Sequence, residues 1–132
     1  MPTNKDIITA IFAETAKGNG RPYVEALADD AVWIARGANS WSGVYRGKWA
    51  ILEDIFGRLR EKLDGRNTCV PTRIHADGDF VIVEAKGQNQ LKDGQRYDNE
   101  YCFVIRMRDS KMIEITEYLD TELVSARLGE RI

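Results

Sequence analysis

The chain reads as an α+β fold, with helices packed on one face of a curved sheet. Two observations predict this. Apolar residues recur at helical spacing through the first half, as in Ile7, Ile8, Ile11 and Phe12, and again in Ile51, Leu52, Ile55, Phe56, Leu59 and Leu63. From about residue 67 the period changes to two, and Asp-Gly pairs at 77–78 and 93–94 punctuate it as hairpin turns. Helices followed by an antiparallel meander define the class.

In order, residues 4–17 read as a helix that Thr3 can cap, with Asp6 three positions on. "GNG" stops it, and "RPYVEAL" starts a short second helix with Pro22 near its first position, where a missing N–H does no harm. "AVWIA", residues 31–35, is a strand. "RGANSWSGVYRG", residues 36–47, carries aromatics and reads as an ordered loop near a site. Residues 48–63 form the long helix. Strands then cover roughly 67–76, 79–91, 95–108 and 111–120, and Thr121 to Leu128 closes the chain as a short helix.

Two-residue turns would fix the pairing by counting outward from each. Around Asp109-Ser110, residue 99 faces 120, 101 faces 118 and 103 faces 116; around 93–94, residue 88 faces 99 and 86 faces 101. One side of the sheet then carries Gln88, Asn99 and Asp120 in one row and Lys86, Tyr101 and Tyr118 in the next. The other side carries Val81, Val83, Ala85, Cys102, Val104, Ile113, Ile115 and Leu119. A bulge at Gly87 would switch the face of Gln88 relative to Lys86. Both sides contain apolar residues, and one set of helices covers only one. The uncovered face therefore calls for a second copy of the chain, a homodimer. His75, the single histidine, falls eight residues along the sheet from Asp120, roughly 26 Å at about 3.3 Å per residue, and reads as a rim residue. Cys69 and Cys102 point to opposite sides, which argues against a disulfide.

With 132 residues the chain suits one domain, residues 1–132, and 43% hydrophobic with 30% charged residues is ordinary for a globular protein. A net charge of -2 gives no reason to expect nucleic acid or an acidic membrane as partner. No apolar run approaches the roughly 20 residues of a bilayer span. The start "MPTNKDIITA" lacks the pattern of a signal peptide, so a cytoplasmic location is expected. Two cysteines are too few for a disulfide scaffold or a zinc site. No metal or organic cofactor is implied.

The stretches "ADDAVWIARG", "WSGVYRGKWAILEDIFGRL" and above all "YDNEYCFVIRMRDSKMIEITEYLDT" make the chain resemble the nuclear transport factor 2-like superfamily, in its SnoaL-like and ketosteroid-isomerase-like branch. The resemblance spans nearly the whole length. It implies a cone-shaped, cystatin-like α+β barrel, usually dimeric. Its curved mixed or antiparallel sheet would carry the N-terminal helices on its concave face and curl around an apolar pocket. It also implies that Asp120 matches the strand-end aspartate that serves as acid or base in SnoaL-like cyclases and in limonene epoxide hydrolase. The epoxide hydrolase's Arg-x-Asp is here Tyr97-Asp98-Asn99, without the arginine and with an amide for the second acid. The cyclases' pocket histidine has no counterpart in His75, and the steroid isomerase's tyrosine with two acids is not recognisable by motif.

Two roles are open to Asp120. "DTELV" fits a helix N-cap with Glu122 in the first turn. The same carboxylate could instead face a pocket lined by Tyr118, Tyr101, Phe103 and Trp33, where desolvation raises its pKa and the Asn99 amide opposes that. Trp33 on the first strand, with Trp41 and Tyr45 on the loop, suits a pocket wall or mouth; equally, Trp33 is core and Trp41 packs the loop against a helix. The first functional expectation is a small-molecule pocket protein, with isomerase- or cyclase-like acid–base chemistry on an apolar cyclic carbonyl compound. Asp120 would carry the proton, Asn99 orient it, and Tyr101 or Tyr118 donate to an oxyanion. The alternative is a non-catalytic dimeric protein that binds a small apolar ligand with the same residues. An interaction module like the transport factor itself ranks third, because nothing suggests a partner groove.

Overall fold

The computed structural model describes residues 1–131. Helix α1 (Asn4–Thr15) starts on a reciprocal cap: the Asp6 amide donates to Thr3 Oγ1 (3.1 Å) and the Thr3 amide to the Asp6 carboxylate (3.0 Å). Its buried stripe is Ile8, Ile11, Phe12 and Thr15, and Ile7 is only partly covered. Helix α2 (Arg21–Ala26) has Pro22 in its first turn and buries Tyr23. Strand β1 (Leu27–Ala35) follows, then β2 (Gly43–Arg46). The long helix is continuous from α3 (Lys48–Ala50) through a π-helical stretch, Ile51–Gly57, into α4 (Arg58–Lys62). Strands β3 (Cys69–Asp77), β4 (Phe80–Gly87), β5 (Glu100–Arg108) and β6 (Lys111–Leu119) form the meander, and α5 (Thr121–Leu128) ends it.

The six strands make one mixed sheet in the order β2-β1-β6-β5-β4-β3. Strand β1 runs parallel to β6, and every other pairing is antiparallel. The expected α+β class is correct, but the sheet stays open at β2 and β3 and does not close into a barrel. Several element boundaries differ from expectation, and strand β1 begins at Leu27 where residue 31 was expected. Residues 43–46 of the presumed loop pair with β1 as an edge strand. Strand β4 stops at Gly87 and β5 begins only at Glu100, so the segment between carries isolated bridges, Leu63 with Leu91 and Gln90 with Arg96. The expected 88–99 pairing is replaced by bonds from the Gly87 amide to the Asn99 carbonyl and from the Gln88 amide to the Thr68 carbonyl.

The first turn falls on Gly78-Asp79, one residue past the expected pair, with Asp77 facing Phe80, and the two hairpin registers counted above are off by one, each for a definable reason. The Asp93-Gly94 turn holds three residues: the Leu91 amide bonds the Gln95 carbonyl at 2.8 Å, and Gly94 takes φ +91°. Ala85, not Lys86, therefore faces Tyr101. The Asp109-Ser110 turn is the expected two-residue type, with φ of 51° and 65°, and Arg108 pairs with Lys111 and Met107 with Met112. One extra residue on β6 then breaks the count, so that Arg106 faces Glu114 and Tyr101 faces Leu119 in place of Tyr118. A one-residue slip exchanges the faces of everything beyond it. Tyr118 is turned outward opposite Cys102, and Glu117 is turned inward opposite Phe103.

The inner face carries Val81, Val83, Ala85, Phe103, Ile105, Ile115, Trp33 and Ala35 under α1, α2 and the long helix. Its aromatic centre is interlocked: Trp33 meets Phe56 at 5.4 Å and 88°, and Phe103 contacts both Phe12 (5.8 Å) and Trp33 (6.1 Å). A second cluster, Trp41, Leu63, Leu91, Tyr97, Val124 and Leu128, seats α5 beside the β5–β6 end of the sheet. The outer face has no helix. It presents Ile34, Thr116, Val104 and Ile82 in one cross-strand row, with Tyr118 and Cys102 beside them. His75 lies on that face, exposed, 3.4 Å from Glu84, which Arg73 also grips at 2.8 Å. Cys69 and Cys102 are free thiols on opposite faces.

Candidate functional site

Between the inner face, the long helix and α5 lies a cavity of about 50 Å³. Trp41, Ile55, Leu59, Leu119, Val124 and Leu128 form its apolar wall. Arg36, Asn39 and Ser42 make a polar rim, and Tyr97, Tyr101 and Glu117 meet at its polar end. The rim is built by residues 36–42: the Asn39 side-chain oxygen accepts from the Trp41 amide (2.9 Å) and the Ser42 amide (3.1 Å), a local turn that needs no regular element. Asn39 also donates to the Thr121 carbonyl (3.2 Å), and the Trp41 indole N–H donates to the Gly129 carbonyl (2.9 Å), which latches α5 over the cavity.

Glu117 is the chemical feature of this site. It is half-buried on the inner face between Ala35 of β1 and Phe103 of β5, its Cα partners. Among the described residues it has no ion-pair partner. Burial pushes its carboxyl from 4.5 up to about 7, and the nearby Trp33 N–H, which favours the charged form, pulls it partly back. Burial acts in the same direction on its tyrosine neighbours: it holds Tyr101 well above the ordinary phenol value and raises Tyr97 to about 12, so both stay protonated and can donate.

Asn99 is fully buried and organises this end. Its amide donates to the Tyr97 hydroxyl (3.2 Å) and to the Asp120 carbonyl (3.1 Å). Its oxygen accepts from the Glu100 (2.7 Å) and Asp120 (3.1 Å) amides. Asn99 and Asp120 are thus neighbours as expected, but the contact is to the Asp120 backbone. The Asp120 carboxylate is exposed and accepts from the Leu123 amide at 3.1 Å, capping α5. The sheltered geometry expected of it is held instead by Glu117, three residues earlier, because the β6 bulge turns that residue inward.

The other expected site residues divide. Tyr101 and Trp41 line the cavity. Trp33, Phe103 and Tyr45 are buried behind it, with the Tyr45 hydroxyl donating to the Trp41 carbonyl at 2.8 Å and the Arg131 guanidinium over its ring. Tyr118 is 46% exposed on the outer face, away from the cavity. Glu117, Tyr97 and Arg36 are the members that sequence reasoning passed over. One signal was available for Glu117: Ile115 and Leu119 were both assigned to the apolar face, and period two puts Glu117 between them on that face. Among the described residues, no cluster of three or more His, Cys, Asp or Glu side chains is placed to hold a metal ion. Among the described residues, no helix is long and apolar enough to cross a membrane.

An open mixed sheet with helices on one face and a pocket at the end of its longest strands defines a class of fold that known proteins share. Residues 8–115 match the family model of the SnoaL-like domain, and the chain belongs to that family. An NTF2-like protein of Burkholderia thailandensis superposes with a TM-score of 0.82 at 23% identity, covering 97% of this chain and 98% of its own. A Xanthomonas campestris protein of unknown function, described as having a cystatin-like fold, gives 0.82 at 21% identity, covering 98% and 100%. A protein of Catenulispora acidiphila with a ketosteroid isomerase-like fold, solved with trimethylamine, gives 0.73 at 18% identity, covering 95% and 93%. At these identities the likeness is one of fold. No curated protein matches the chain in sequence.

Proposed function

We propose that the protein binds a small, mostly apolar carbonyl compound in the cavity beside Glu117 and moves a proton on it. The observation that carries this reading is Glu117 itself: a carboxyl without an ion-pair partner, at the polar end of an apolar cavity, with a pKa of about 7. A base is most useful when its pKa lies near the working pH. Abstraction of a proton beside a carbonyl needs such a base and a hydrogen-bond donor for the developing oxyanion. Tyr101 and Tyr97, kept protonated by burial, meet the second need at this end of the cavity. Asn99 is a positioning residue that fixes the Tyr97 hydroxyl. The cavity is smaller than the roughly 150 Å³ that admits a benzene ring, so a cyclic ligand requires α5 to move out from the loop at 36–42. The outer face, apolar at Ile34, Ile82 and Val104 and free of helices, takes a second copy of the chain in this reading.

The test is exchange of the α-protons of a small cyclic ketone in D2O, followed by NMR. The wild type should accelerate exchange with a rate limb near pH 7, and Glu117→Gln should lose about 100- to 10,000-fold. Asp120→Asn should retain the rate. Equal rates for wild type and Glu117→Gln would leave a protein that binds without turning over.

A further inference from the structure

Trp33 and Glu117 are diagonal neighbours on the inner face. In the parallel pairing of β1 with β6, Trp33 faces Ile115 and Ala35 faces Glu117. A diagonal step across paired strands lies within reach of an aromatic or a long side chain. Ala35, the direct partner of Glu117, has no side chain beyond Cβ to stand between them.

The indole is held firmly. Trp33 is 3% exposed, and its ring meets Phe56 at 5.4 Å and 88° and Phe103 at 6.1 Å and 67°. Phe103 is also the β5 partner of Glu117, so the ring that fixes the indole walls the carboxyl too. An indole N–H can only donate. Among the described residues no other group takes the Trp33 N–H, and the Glu117 carboxyl is the acceptor beside it.

We infer that Trp33 is the positioning residue of the Glu117 carboxylate: its N–H holds one oxygen and leaves the other free to take the ligand's proton. A donor binds the charged carboxylate more strongly than the neutral acid. The indole therefore opposes burial and keeps the base available, and without it burial alone would leave the carboxyl protonated and idle. This assignment rests on the proposed proton transfer and names the group that orients its base. The other titratable groups around the carboxyl are Tyr23 of α2, Tyr45 of β2, Cys69 of β3, Tyr97 and Tyr101. Burial raises all of them, so they stay protonated while Glu117 titrates. From α5, the Asp120 carboxylate is exposed and engaged as the helix cap.

The test follows the three indole N–H resonances of the 15N-labelled protein from about pH 5 to about pH 9, on either side of the Glu117 value. The Trp33 resonance is identified by its loss in Trp33→Phe. It should move with a midpoint near 7 in wild type and stay still in Glu117→Gln. Trp41, bonded to the Gly129 carbonyl, and the exposed Trp49 serve as controls that do not follow it. Trp33→Phe keeps an aromatic ring and loses the N–H. It should raise the pH limb of ketone exchange by about one to two units. Replacing the Trp33 indole by benzothiophene, which has the same outline and no N–H, should give the same rise, which a role in packing alone would not. A Trp33 resonance that ignores Glu117, or a limb that stays in place in both variants, overturns the assignment. A resonance that follows Glu117 in a protein that exchanges no ketone would uphold the bond and end the proton-transfer reading alone.

Discussion

Glu117 sets the electrostatics at the scale of single residues. Its carboxyl rises from 4.5 to about 7 through burial, so the folded state favours the protonated form. Between those values the folded chain binds more protons than the unfolded one, and stability falls as pH rises through the interval. At about 1.4 kcal/mol per pH unit the loss is on the order of 3 kcal/mol, complete above about pH 7. Glu117→Gln removes the ionisation. Thermal melts should show the variant more stable than wild type at pH 8, by about 2–3 kcal/mol, and nearly equal to it at pH 4.5. A difference of the same size at both pH values would place the carboxyl in water. Of the residues named from the sequence, Tyr101 on β5 lines the cavity, and Asn99, just ahead of that strand, bonds the Tyr97 hydroxyl and the Asp120 backbone. The sequence hid Glu117 because a bulge reverses which β6 residues look inward.

At the scale of elements, α5 shows how a residue can match a functional pattern and serve another end. Asp120 lies beside the site, yet its carboxylate caps the helix at Leu123 N. Asp120→Ala should lower stability by about 1 kcal/mol, while Asp120→Asn should cost little, since asparagine caps equally well. Denaturant melts of the two variants distinguish this from an electrostatic role, in which asparagine would fail too. The capped helix matters because its Val124 and Leu128 form part of the cavity wall. The hairpins make the complementary point. Turn positions were legible from Asp-Gly and Asp-Ser, but the three-residue turn at 92–94 and the extra residue on β6 were not. Each depends on what the paired strand must bury, and no local residue preference encodes that.

At the scale of the whole molecule, the sheet has one face under helices and one face bare. Ile34, Ile82 and Val104 lie in a continuous row on the bare face, beside the half-exposed Tyr118. A second copy packed there would bury the row. Light scattering should give twice the chain mass of 15.0 kDa, and Val104→Lys should return it to one chain. A wild-type mass of a single chain at micromolar concentration would show that this face stands in water.

Periodicity and turn chemistry alone determined the α+β class, the order of helices and strands apart from the edge strand Gly43–Arg46, and the presence of two partly apolar sheet faces. These are local properties: a 3.6-residue or two-residue repeat, and a residue able to take positive φ. Tertiary structure alone decided which carboxylate enters the cavity, that the Trp33 and Tyr23 rings both pack against Phe56, and that the sheet stays open. Those outcomes turn on single-residue register shifts and on contacts between distant segments, where packing of the common core outweighs the preference of any one strand.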